Sequence, residues 1–164
     1  MQRAFPYRKI IPDKIDLLSP LKCGKNKYRS VVTYSDCADL VIQTPKVKIS
    51  GSKIFVSSKK KEFKIFLEEL YIRIIKIIHL KSIFFFNGKE FSEEFIKDSI
   101  KPFYQENENG FVLQISNGID AADTMAQCIL KFEDVLFEKG EIFLSVKLVK
   151  FKDSPEVEEC LFEN

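Results

Sequence analysis

Six lysines and no acid fall between Lys46 and Lys61, in the stretch KVKISGSKIFVSSKKK. Clustered ammonium groups attract phosphates, and the one aromatic among them, Phe55, offers a ring on which a base can stack. The chemistry in view is the binding of a polyanion with exposed bases. For that, the side chains must share a face. Val47 and Ile49 alternate with Lys46, Lys48 and Ser50, while Ile54 and Val56 alternate with Lys53, Phe55 and Ser57, the period of half-buried strands. Gly51-Ser52 suits a two-residue type II′ turn, which wants Gly at its first central position. Such a turn sets Ser50 opposite Lys53, Ile49 opposite Ile54, Lys48 opposite Phe55 and Val47 opposite Val56. The expected ribbon has an aliphatic underside and an upper face of Lys46, Lys48, Lys53 and Phe55. Lys59, Lys60 and Lys61 either extend this cationic track or solvate the start of the next element.

Catalytic chemistry finds no comparable foothold. There is no glycine-rich phosphate loop, HExxH, nucleophile elbow or recognisable Cys-His motif, so a non-enzymatic protein is expected. The acid pairs Glu68-Glu69 and Glu93-Glu94 fit solvated helix surfaces. Cys23, Cys37, Cys128 and Cys160 form no CxxC pair, and His79 is the single histidine, so neither a metal nor a cofactor is expected. His79 falls at a polar helix position that suits a surface or capping role. The opening MQRAFPYRKI has no secretory leader, which favours reduced thiols in an intracellular setting.

The elements that must carry the lysine face belong to a chain of 164 residues with 45% hydrophobic content, enough for one core. A single domain over 1–152 is expected, with a basic, turn-rich extension at 1–29 broken by Pro6, Pro12, Pro20 and Gly24. All 26 Lys and Arg precede residue 153, whereas five of the 24 Asp and Glu follow from there on. The body therefore carries +7 and the acidic tail, 153–164, carries −5, within a net charge of +2. A basic body with an acidic tail suits a tail that competes with nucleic acid; a passive solvated terminus is the other reading.

Strands are expected at 28–34 and 39–43, before the lysine hairpin, and again at 111–116. Phe63, Phe66, Leu67, Leu70, Ile74, Ile77 and Ile78 follow helical spacing over 63–81, and the charges between them exclude a membrane span. Residues 82–86, SIFFF, read as a buried strand, followed by a tight turn at Asn87-Gly88 and a short helix capped by Ser92. In the last third, Cys128, Leu130, Phe132 and Leu136 share one parity before a turn at Lys139-Gly140, and Ile142, Leu144, Val146 and Leu148 share one after it. The opposite parity carries Phe143, Ser145, Lys147, Val149 and Phe151. Phe–Lys–Phe there makes either a stacking platform around Lys147 or, the preferred reading, a surface covered by the long helix.

Three segments carry a family resemblance. TYSDCADLVIQTPKVKISG (33–51), FFFNGKEFSEEFIKDSIKPF (84–103) and ILKFEDVLFEKGEIFLSVKLVKF (129–151) resemble, in order, segments of a single-stranded-DNA-binding family of large eukaryotic DNA viruses. That family is similar to phage replication single-stranded-DNA-binding proteins. Ile49-Ser50-Gly51 stands where the family has Phe-Gly, and the tail aromatic, Phe162, lies two residues before Asn164. The resemblance implies a mainly β (α+β) fold, an OB-like five-stranded barrel with one long helix and a C-terminal hairpin. It implies sequence-independent binding of single-stranded DNA in viral replication, recombination or repair, in the host cytoplasm or nucleus. Glu156, Glu158, Glu159 and Phe162 of the tail would then regulate binding or contact replication proteins, in a homodimer or other homo-oligomer. The competing expectation is a virion structural component, a minor capsid or core protein whose partners are capsid proteins.

Overall fold

The computed structural model describes residues 4–86, 88–120 and 123–153; Glu156, Glu158, Glu159 and Phe162 lie outside them. The fold is mainly β, a curled antiparallel half-barrel sheet with a few helices. The strands are β1 (Phe5–Pro6), β2 (Ile15–Leu17), β3 (Leu21–Gly24), β4 (Lys27–Tyr34), β5 (Ala38–Ser50), β6 (Lys53–Ser57), β7 (Tyr104–Asn107), β8 (Gly110–Gln114), β9 (Thr124–Glu138) and β10 (Glu141–Asp153). Between β6 and β7 come α1 (Lys61–Leu80), α2 (Ser82–Phe85) and α3 (Glu93–Ser99). Strand β9 is the spine. One edge pairs with β10, and the other pairs first with β5 and then with β4. From β5 the sheet continues through β6 and β8 to β7. The basic opening segment is woven in: β1 runs parallel to β5, and β2 and β3 both pair with β4.

Bulges decide which residues reach the core. On β5, Leu40 and Ile42 are buried before the segment Thr44-Pro45, and Val47 and Ile49 after it. Between these pairs Gln43 faces Ile129 and Lys46 faces Gln127, so one extra residue flips the parity. Proline cannot donate to a ladder, which is why Pro45 is tolerated in an inner strand only at such a bulge. The Thr44 hydroxyl donates to the Pro45 carbonyl at 2.7 Å and accepts the Cys128 N–H at 3.0 Å, closing the gap in the ladder. A second bulge on β9 at Glu133 separates the pairs Val146–Phe132 and Ser145–Asp134. Cys128, Leu130 and Phe132 are buried as expected, but beyond Glu133 Val135 takes the core position and Leu136 does not.

The apolar stripe of α1 is buried in full: Phe63, Phe66, Leu67, Leu70, Ile74, Ile77 and Ile78, joined by Ile75. Each such side chain contributes about 1.5–3 kcal/mol by leaving water. The helix lies on the concave side of the sheet, where Phe66 meets the Phe132 ring at 6.3 Å and Phe63 meets Phe111 at 6.1 Å. That placement corrects the expected covering of β10. Phe143 points the other way and remains 39% exposed, whereas a bulge between Leu148 and Lys150 turns Phe151 to the face of its buried partner Cys128, where it is still 38% exposed.

SIFFF is also not a strand. Lys81 links α1 to α2, with Phe84 and Phe85 donating to the Lys81 carbonyl, and Gly88 at φ 87 donating to the Ile83 carbonyl. Helical continuation wins over β propensity because Phe85 and Phe86 reach Phe137 from that turn, at 5.9 and 5.6 Å. Ser92 caps α3, accepting the Phe95 N–H at 3.1 Å, and the His79 ring nitrogen Nδ1 lies 2.7 Å from the Phe91 carbonyl, tying this loop to α1.

The outer edge of β10 is covered. Lys101 N–H donates to the Ile142 carbonyl and Ser116 N–H to the Val146 carbonyl. The Asn117 side chain bonds both the N–H and the C=O of Leu148 at 2.8 Å, taking the place of a neighbouring strand.

Candidate nucleic-acid interface

The lysine hairpin pairs in the register that alternation and turn chemistry require: Lys48 with Phe55, Ile49 with Ile54 and Ser50 with Lys53. Gly51 has φ 59 while Ser52 stays outside the left-handed region, as a type II′ turn demands. Val47, Ile49, Ile54 and Val56 form the buried underside. The turn is held from below. Ile119 N–H donates to the Gly51 carbonyl and Ile115 N–H to the Ser52 carbonyl, and a Cβ on Gly118 would lie 2.4 Å from the Gly51 oxygen.

Pairing then extends the upper face across five strands. Met125 of β9, Lys48 of β5, Phe55 of β6, Val112 of β8 and Gln105 of β7 stand in one row. The next row holds Ser50, Lys53 and Gln114. A groove of about 330 Å³ runs between Lys53, Phe55, Val112 and Gln114 on one side and Pro102, Phe103, Tyr104 and Gln105 on the other. Gln114 is oriented by bonds from its amide nitrogen to the Ser52 carbonyl and hydroxyl at 3.1 and 2.9 Å.

The face is less cationic than its lysine content implies. Lys48 Nζ sits 5.3 Å above the Phe55 ring and 3.4 Å from the Asp123 carboxylate. The Ser50 hydroxyl first, and Lys48 second, hold that carboxyl below its usual range. Lys46 is only 6% exposed, because the bulge at Thr44-Pro45 sets it beside Gln127, itself buried. Lys53 is exposed at the groove. Lys59, Lys60 and Lys61 lie at the far end of β6, around a separate hollow with Tyr7 and Arg8. Lys147 is exposed on β10 opposite Lys131, away from Phe55. Of the eight candidate positions, the fold brings Lys48, Lys53 and Phe55 together.

Gln105, Val112, Gln114, Met125 and Asp123 complete the face, and sequence reasoning missed all five. Alternation along β8 carried a signal for Val112 and Gln114, but nothing local indicated that β8 would pair with β6. Among the described residues no group of His, Cys, Asp or Glu is placed to hold a metal ion, and no helix is long and apolar enough to cross a membrane. Compared with protein-family models, curated proteins and solved structures, the chain finds no match in any of the three, so its functional reading rests on the chemistry of this face.

Proposed function

We propose that the outer face of β6 and β8 binds single-stranded DNA with little regard to sequence, as a non-enzymatic protein. The observation that carries this reading is the partly exposed Phe55 ring, set between Lys48 and Lys53 above an open groove. A base stacked on such a ring contributes roughly 1–3 kcal/mol, and every base has a face to offer. Duplex DNA keeps its bases stacked inside, so the ring discriminates for single strands. In the free protein Lys48 covers the ring. An arriving base displaces its ammonium, which then meets the adjacent phosphate in place of Asp123.

Strand order supports the same reading. Following the sheet as β5-β6-β8, then across Ser116 and Asn117 to β10 and β9, returns to β5. The antiparallel pairings make β8 and β10 run in the same direction. We read this path as OB-like, by analogy with the five-stranded barrel whose second- and third-strand face binds oligonucleotides. Here those strands are β6 and β8. In this reading the carboxylates of Glu156, Glu158, Glu159 and Glu163 compete with phosphates for the face, Asp153 being part of β10.

The test is anisotropy of a labelled single-stranded oligonucleotide, and of its duplex, across a salt series. Single strands should bind tighter, with log K falling linearly in log salt at about 0.7 per phosphate contact. Removing 154–164 should tighten binding most at low salt. Absence of binding at low salt, or equal affinity for duplex, refutes the proposal.

A further inference from the structure

At the end of the sheet where β9 turns into β10, the concave side is not filled by α1. Tyr28 of β4 and Phe137 of β9 stand there as cross-strand partners, facing Phe86, Phe91 and Phe95. Phe91 stacks on Phe95 with centroids 4.7 Å apart, and Phe86 meets Phe91 edge-on at 4.7 Å. Between them lie two adjoining hollows of about 270 and 320 Å³ that share Tyr28, Phe86, Phe91 and Phe137. An apolar cavity of about 150 Å³ already accepts benzene, so either hollow has room for a phenyl ring.

Beside this groove stands a ridge to match it. Leu80, Ile83 and Phe84 are spaced i, i+3, i+4 where α1 passes into α2, and all three are exposed, Phe84 to 81%. Phe84 is one residue from Phe85, which lines the groove. A phenylalanine so exposed beside an open aromatic groove marks an interaction surface.

We propose that two copies of this chain dock through this face, each inserting its Phe84 ridge into the aromatic groove of the other about a two-fold axis. An isologous interface requires one patch to carry both the knob and the hole, and this patch does. Its size fits: with aromatic side chains at roughly 150–250 Å² each, the exposed parts of ridge and groove amount to on the order of 600–700 Å² per copy. A standard interface takes about 800 Å² per partner, which the polar rim supplies. Charge does not oppose it: the full chain carries a net charge of only +2, so two copies repel weakly. At its rim three ion pairs are closed within the chain, Lys27 with Glu138 at 3.6 Å, Lys101 with Glu141 at 3.1 Å and Lys81 with Asp16 at 2.7 Å, while Lys89 and Lys139 also line the hollows.

The experiment is light scattering on the sized full chain, wild type and Phe84→Asp, with circular dichroism and oligonucleotide binding measured on both. At about 100 µM, where a micromolar dissociation constant leaves mostly dimer, the wild type should be dimeric. Phe84→Asp should be monomeric, with an unchanged spectrum and unchanged DNA affinity per chain, since Phe84 is not on the DNA-facing side. A monomeric wild type, or a dimer that survives Phe84→Asp, overturns the proposal. A surviving dimer that dissociates when 154–164 are removed would assign the contact to the tail. A monomer that floats with phosphatidylserine vesicles would make the ridge a lipid contact.

Discussion

Thr44→Val keeps the shape of the side chain and removes a hydroxyl on which the register of β5 depends. Two buried bonds are lost. The Cys128 N–H loses its acceptor at 3.0 Å, and the Pro45 carbonyl loses its donor at 2.7 Å. Thr44 and Cys128 are buried, so water does not replace the missing group. An unsatisfied buried donor costs about 1–3 kcal/mol, and a carbonyl that retains no partner adds to that. We therefore expect a loss of about 2–4 kcal/mol. Thr44→Ser restores the hydroxyl and gives up one methyl group, about 1 kcal/mol. Relaxing the bulge is no escape, because a one-residue slip turns Val47 and Ile49 outward and Lys48 into the core. Urea denaturation followed by circular dichroism separates the outcomes: the midpoint falls for Val, falls less for Ser, and the slope is unchanged. A valine variant within about 0.5 kcal/mol of wild type, the range of an inconsequential surface change, would refute the claim that this hydroxyl holds the bulge.

Two other perturbations test the face and the core. Phe55→Ala should weaken single-strand binding by about 5- to 150-fold at unchanged salt slope, because stacking releases few ions. Lys48→Ala should lower the slope by about 0.7 while uncovering the ring; the opposite pairing of effects in a salt titration would reverse the roles of the two residues. Cys128 is buried in β9 and its thiol is pushed up to about 12 by that burial, whereas Cys23 and Cys37 are exposed. In a Cys160→Ser background at pH 8, a thiol reagent should modify Cys23 and Cys37 at once and Cys128 only as the protein unfolds; prompt labelling of Cys128 would contradict the packing of β9.

What the sequence determined by itself was local. Alternation and Gly51-Ser52 specify that Lys48 faces Phe55 and Ser50 faces Lys53, because strand period and turn chemistry act over neighbouring residues. Helical spacing likewise specifies the buried stripe from Phe63 to Ile78, and Ser92 its cap three residues before Phe95. Tertiary structure decided the rest, because it turns on partners far along the chain. Lys46 is buried through a bulge that only the pairing of β5 with β9 reveals, and Leu136 loses its core position to Val135 through another. SIFFF becomes helix because Phe137, some fifty residues later, receives its rings. Phe143 stays exposed because a sheet has two faces with the same alternation and α1 packs on the other one, while a bulge after Leu148 breaks that alternation before Phe151. Lys48 meets Asp123 only once β9 lies beside β5, so the charge of the lysine face was legible as composition but not as a field.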